Sequence, residues 1–241
     1  MIYARTDRGI VRDSNEDNVE VFTCGEITYL MVLDGMGGHN RGDTASSLAM
    51  SELKKELTKK ENFHSVFSLR RFILRAIKKA NRAVNELGST LMEYADMGTT
   101  LVLTALIKDL VLLFNVGDSR CYAMKEGKMR QISEDQTYVE FLYKTGKITF
   151  EEKKTHPKRH VLMNALGTYS TISIATKILR ESFDKILLCS DGLYNMVDDE
   201  YIERILKKDG PIKEKVDELI ELSNLNGGKD NIAVALWEAD R

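Results

Sequence analysis

The segment 99–116 constrains the fold most. Two apolar runs, Leu101–Ile107 and Leu110–Val116, follow each other with only Lys108-Asp109 between them. So short a gap closes an antiparallel hairpin and leaves no room for the crossover that parallel strands require. Further short apolar runs at 31–33, 186–189 and 232–236 are bounded by turn residues and read as buried strands. Between them Ala45, Leu48, Ala49, Leu53 and Leu57 recur at helical spacing, as do Leu69, Phe72, Ile73, Ala76, Ile77, Ala80 and Val84. A third helix is predicted after Gly210-Pro211, with the proline in its first turn and Val216, Leu219 and Ile220 inside. Strands in succession and helices in blocks predict an α+β fold, two antiparallel sheets packed as a β-sandwich with helices covering the outsides.

The 241 residues suffice for one sizeable core, and no repeat or linker divides them, so residues 1–241 read as a single domain. The 35 basic and 37 acidic residues give no strong positive field, which removes proteins that live by gripping nucleic acid. The local cations Arg70, Arg71, Arg75, Lys78, Lys79 and Arg82 are expected to spread over more than one helix face as a solvated exterior, the alternative being nucleic-acid contact through that helix. Cys24, Cys121 and Cys189 lack C-x-x-C spacing, so neither a disulfide framework nor a zinc ribbon is expected. The N-terminus is charged from Arg5 and no apolar run reaches bilayer length, which predicts a cytoplasmic protein with no membrane partner.

The acids fall in a pattern. Asp34-Gly35 follows the run 31–33, Asp191-Gly192 follows 186–189 after one serine, and Asp118 closes a strand in 115–120. Asp230-Asn231 stands just before the last strand, and Glu16-Asp17 lies near the N-terminus. Any one Asp-Gly pair is ordinary turn chemistry, and the whole set could be a solvated rim. If the strand ends meet instead, the carboxylates repel unless a cation neutralises them. Oxygen ligands without a His or Cys cluster select Mg²⁺ or Mn²⁺ over zinc. Arg12 is then either a phosphate clamp beside that site or a surface ion pair.

Six motifs occur in one order: Arg12-Asp13-Ser14-Asn15-Glu16-Asp17-Asn18, Asp34-Gly35-Met36-Gly37-Gly38-His39, Gly98-Thr99-Thr100, Gly117-Asp118-Ser119-Arg120, Ser190-Asp191-Gly192-Leu193 and Gly228-Lys229-Asp230-Asn231. Together they resemble the metal-dependent type 2C protein serine/threonine phosphatases (PPM) in their compact bacterial form. The resemblance implies a four-layer αββα sandwich with a site for two Mn²⁺ or Mg²⁺ ions, and a weaker position for a third, at one edge. Asp34 would bridge the two ions, the Gly35 carbonyl would bind one, and Asp191 and Asp230 the other. Glu16 and Asp17 would hold metal-bound waters, Asp118 with Asp191 a weaker third ion, and Arg12 the phosphate. The implied reaction is attack on phosphorus by a hydroxide bridging the ions, with no phosphoenzyme. In keeping with that, no cysteine is followed six positions later by arginine, the spacing that cysteine-dependent phosphatases use.

By the same resemblance the substrates are proteins bearing phosphoserine or phosphothreonine, the counterpart is a serine/threonine kinase, and the chain acts as a monomer. Residues 138–160 resemble the family's flap subdomain. Met36 stands where eukaryotic relatives carry a proposed general-acid histidine, which leaves His39 or a metal-bound water for that role. Met97 and Asn164 also depart from common family residues, and both bear on substrate contact. The alternative is a phosphoprotein-sensing module of the same fold with little catalysis, against which the retention of Asp34, Asp191 and Asp230 argues.

Overall fold

The structure is a computed structural model that describes residues 1–37, 41–90 and 92–239. The chain opens with β1 (Ile2–Asp7), β2 (Asp17–Cys24) and β3 (Ile27–Met36), followed by α1 (Arg41–Leu57) and α2 (Val66–Thr90). Then come β4 (Gly98–Thr99), β5 (Leu101–Ile107), β6 (Leu110–Val116), β7 (Arg120–Lys125) and β8 (Lys128–Gln131). Helices α3 (Tyr138–Lys144) and α4 (Phe150–Thr155) precede β9 (Ala175–Leu179) and β10 (Lys185–Cys189). The chain closes with α5 (Asp191–Tyr194), α6 (Asp199–Lys207), α7 (Ile212–Leu225) and β11 (Ile232–Glu238).

Two antiparallel sheets form, in the orders β1-β11-β10-β7-β8 and β2-β3-β5-β6-β9, with β4 pairing β3 off the second path. The predicted hairpin is there, with Ile107 opposite Leu110 and Leu101 opposite Val116. Period-2 alternation explains why the central strands read as unbroken apolar runs, since each is covered on both faces. On β3, Leu30 and Val32 face the other sheet alongside Val102, Leu188 and Ala233, while Tyr29, Met31 and Leu33 join Leu53, Ile73 and Val84 of the α1–α2 layer. On β10 and β11, Leu187, Cys189, Val234 and Leu236 pack with Leu193, Ile205 and Leu219 of α5, α6 and α7. Three apolar seams therefore hold four layers, the αββα order expected from the sequence.

Two local readings need adjusting. Pro211 sits at the N-cap of α7 with φ −61° and ψ 141°, one place before the first turn. The half-buried strand β1, whose six residues lack a clean alternation, gave no sequence signal and exists because β11 pairs with it from Ile2–Trp237 to Asp7–Ile232. In the 138–160 segment, α4 starts on a reciprocal cap in which Thr149 and Glu152 satisfy each other's backbone N–H. Among the described residues no helix is long and apolar enough to cross a membrane.

Candidate active site

Antiparallel neighbours place the C-terminal end of one strand beside the N-terminal end of the next. Here β3 ends where β2 begins, with Asp34 directly opposite Asp17. In the other sheet β10 ends at Cys189 and hands the chain to Asp191 at the start of α5, beside Asp230-Asn231 at the entry of β11. Asp118 follows the end of β6. One sandwich edge thus collects acids from distant stretches around a cleft of about 700 Å³, lined among others by Arg12, Glu16, Asp34, Asp118, Asp191 and Asp230. Gly35 also lines it, and Asp17 lies buried beside Asp34, so the structure brings together the proposed metal ligands and Arg12. Asp17 and Asp118 are buried there, unlike the members of a solvated rim, whereas Arg12 and Asp230 keep much of their exposure.

The backbone around the cleft is fixed by side chains that the sequence reading quoted in motifs without giving them a role. Thr100 Oγ1 accepts from the Asp34 N–H at 2.9 Å and contacts Ser119 Oγ at 2.6 Å. Ser190 Oγ donates to Asp17 at 2.6 Å and accepts from the Ala233 N–H at 2.8 Å. Asn231 accepts from the Glu16 N–H and donates to the carbonyls of Arg8 and Ser14, each at 2.8 Å. Close approach does the rest: a Cβ on Gly35 would stand 2.2 Å from the Gly42 carbonyl oxygen, and one on Gly192 would stand 2.0 Å from that of Asn231. The glycine after each aspartate is what lets the neighbouring segments press against the site.

Burial, followed by mutual repulsion, pushes the carboxyls of Asp34 and Asp191 well above the usual range. Burial raises Asp17 to about 7 against the hydrogen bond from Ser190, and raises Asp118 to about 6 with help from Asp135. Glu16 is raised by burial as well. Asp17 stands directly opposite Asp34 in the ladder, so without a cation the two carboxyls repel each other. Among the described residues no three acidic, His or Cys side chains close tightly around one point. The donor set itself, carboxylates and a carbonyl with no thiolate, fits a hard divalent cation.

These shifts fix the sign of a pH effect. A carboxyl whose folded pKa exceeds its unfolded value stabilises the fold below the unfolded pKa and loses that contribution as pH rises through the folded one. Chelator-treated protein is therefore expected to melt progressively lower as pH rises from about 4 to about 7, the window spanned by Asp17 and Asp118. Added Mn²⁺ should recover more stability at pH 7.5 than at pH 5, because fewer protons compete. Thermal scans of the same protein with chelator and with Mn²⁺ check this, and a melting temperature that rises with pH in chelator would contradict it.

Arg12 Nη2 pairs with Asp230 Oδ2 at 2.9 Å, and this hydrogen bond raises the arginine's pKa further. It is thus an ion pair, as one sequence reading had it, but one at the mouth of the cleft.

A family model described as protein phosphatase 2C matches residues 10–236. The chain belongs to the protein phosphatase 2C family. It is 37% identical over 238 residues to the serine/threonine phosphatase stp of Listeria monocytogenes, spanning 98% of this chain and 94% of that protein. Protein phosphatase PhpP of Streptococcus pneumoniae is 34% identical over 235 residues, with 96% and 94% covered. Among solved structures, the serine/threonine phosphatase Stp1 of Staphylococcus aureus superposes with a TM-score of 0.93 at 35% identity, covering 100% of this chain and 95% of that one. The serine/threonine phosphatase PstP/Ppp of Mycobacterium tuberculosis gives 0.89 at 33% identity, with 100% and 99% covered.

In this 2C-family chain His39 lies outside the described residues, but another histidine, missed from sequence, reaches the cleft. His160 Nδ1 is 3.9 Å from Asp191 Oδ2, and burial lowers its pKa. Its only sequence signal was its place at the end of the basic stretch His156-Pro157-Lys158-Arg159. Met36 lines the cleft, Met97 is buried, and Asn164 binds Gln136 and the Ser173 carbonyl, tying two loops together. A second cleft of about 1180 Å³ shares Arg12, His160, Asp191 and Asp230 with the first and is walled by Lys153 and Arg159.

Under Asp118 the Arg120 guanidinium grips Asp135 at 2.8 Å and stacks 3.6 Å from the ring centre of Tyr194. The Tyr194 hydroxyl in turn donates to the Asp118 carbonyl at 3.2 Å.

Proposed function

We propose that this 2C-family phosphatase hydrolyses phosphoserine and phosphothreonine in proteins at the acidic cleft, with two Mn²⁺ or Mg²⁺ ions and a third at a weaker position. The observation that carries the reading is the meeting of Asp34, Asp191 and Asp230, from two sheets, in one cleft with Arg12 at its mouth. Asp34, the Gly35 carbonyl, Asp191 and Asp230 would hold the pair, Glu16 and Asp17 would order water around it, and Asp118 with Asp191 would hold the third. Bound there, divalent cations supply Lewis acidity and an activated water at neutral pH.

The chain's own groups do the remainder. Arg12 can exchange its carboxylate partner Asp230 for a phosphate, whose two oxygens fit the guanidinium fork, and so orient the ester and offset charge on its equatorial oxygens. Ser190 and Thr100 keep Asp17 and Asp34 in place, and Asn231 does the same for Glu16, which leaves little reorganisation for the reaction to drive. A thiol nucleophile has no support: all three cysteines are buried, and burial raises each thiol's pKa. Residues 1–241 act in this reading as one catalytic domain, a monomer in the cytoplasm, and the flap at 138–160 meets phosphoprotein substrates through the larger cleft, opposite a serine/threonine kinase.

Hydrolysis of a phosphothreonine peptide should vanish in chelator and return with Mn²⁺. Activity that persists in chelator would overturn the metal assignment. Peptide binding without any turnover in Mn²⁺ would favour the sensing module instead.

A further inference from the structure

Charge is segregated in this chain. Residues 51–86, the second half of α1 and most of α2, hold 10 basic and 4 acidic residues, while the remainder holds 25 and 33. The six cations of α2 cover more than one face of the helix, as the sequence suggested, and they differ in their partners. Arg70 turns to Thr176 on β9, and Lys79 pairs with Glu56 of α1. The other four, Arg71, Arg75, Lys78 and Arg82, are exposed and recur at helical spacing, which lays them in one stripe about 16 Å long. None of the four has an ion-pair partner among the described residues. Phe67, 62% exposed, heads the same stripe one turn earlier, with the Arg71 guanidinium 5.8 Å from its ring centre.

We infer that this stripe is a docking face for an anionic membrane surface, which the chain meets peripherally through α2. α1 and α2 lie side by side on the outside of the six-stranded sheet, and neither of the two clefts described above is lined by a residue of α2. That is a platform, suited to a plane of headgroups, where each cation finds a partner whatever the register. Phe67 enters the headgroup layer while Arg71 stays at the phosphates. An acidic peptide would need a groove or a free strand edge, and single-stranded nucleic acid would need aromatic faces interleaved with the cations, whereas the stripe has one phenyl ring at its end. The acidic excess elsewhere turns the remaining surface away from such a membrane, so the field also orients the molecule. The sequence expectation of no membrane partner rested on the lack of a secretory signal and of a spanning run, and peripheral contact is a separate matter. The inference does not depend on the proposed catalysis.

The test is sedimentation of the full chain with phosphatidylglycerol-rich vesicles and with pure phosphatidylcholine vesicles, at low and high salt. Binding is expected to the anionic vesicles only and to fall steeply with salt. The fourfold variant Arg71→Gln, Arg75→Gln, Lys78→Gln, Arg82→Gln should weaken it by about 100-fold or more, with unchanged circular dichroism and unchanged hydrolysis of a small phosphate ester. Phe67→Ala should weaken it severalfold. Equal binding to neutral vesicles, or full binding by the fourfold variant, overturns the proposal. So does failure to bind vesicles while an RNA oligonucleotide or polyglutamate binds the stripe.

Discussion

Asp34→Asn is expected to lower phosphopeptide hydrolysis by about 10³-fold or more while raising the melting temperature of chelator-treated protein. The two changes share one cause. Asp34 is held by its backbone, whose N–H donates to Thr100 Oγ1 at 2.9 Å and whose carbonyl accepts from Thr100 N at 2.8 Å and Thr99 Oγ1 at 2.9 Å. An isosteric amide therefore keeps the shape of the site and removes charge. In the proposed function that charge gathers the cations, whose share of transition-state stabilisation would be several kcal/mol, each 1.36 kcal/mol of it a factor of ten. Without cations, however, that same charge is buried against Asp17, Asp191, Asp118 and Asp230. Relieving it should stabilise the fold by about 1–2 kcal/mol, a few degrees for a chain of this size. Phosphopeptide kinetics across a Mn²⁺ series, with paired thermal scans in chelator, measure both. Full activity at low Mn²⁺ would remove Asp34 from the site, and a lower melting point in chelator would show that repulsion is not what the position stores.

The second large effect lies far from the cleft. Glu238, at the end of β11, is opposite Lys185 of β10 in the ladder and bonds its ammonium. It also accepts from Lys215 of α7 at 2.9 and 3.0 Å. All three side chains are buried. Burial pushes the Glu238 carboxyl up, but the two lysines outweigh it and hold the group below its ordinary value. Glu238→Gln leaves two buried ammonium groups facing a neutral amide, so the expected loss is about 3–5 kcal/mol, or roughly 10 °C. Replacing all three by apolar residues of similar volume, with Lys185→Met, Lys215→Met and Glu238→Leu, should come out near neutral, because no charge is then stranded. The sign with pH follows from the depressed carboxyl: its stabilisation is present above the unfolded value near 4.3 and is lost as pH falls through the folded one. Urea unfolding of wild type, single and triple variants at neutral and acid pH reads this directly. A single variant within about 1 kcal/mol of wild type would show that the lysines find water or other partners.

Much of the fold was legible because its central strands are covered on both sides. Such strands must be apolar at every position, and that is visible along the chain without knowing their neighbours. The acids after β3 and β10 were legible for a related reason, since a carboxylate directly following a buried run stands at a strand end. The strand β1 was not legible, because it is half-buried throughout and owes its existence to β11. His160 was missed for a similar reason, because nothing beside it in the chain marks its approach to Asp191.

The sequence alone determined the antiparallel hairpin, the two-sided apolar strands, the amphipathic helices and the residue types that could serve a phosphoryl-transfer site. Tertiary structure decided which of them meet. Ser190 holds Asp17 across 173 positions of chain, and Asn231 holds Glu16 across 215. Those encounters depend on the order of strands within two interleaved sheets, and local spacing carries no record of that order. Tertiary structure likewise decided which cations of α2 were claimed by neighbours and which were left as a stripe. A side chain's pairing depends on what another element brings within reach, and the helix's own period determines only the direction in which it points.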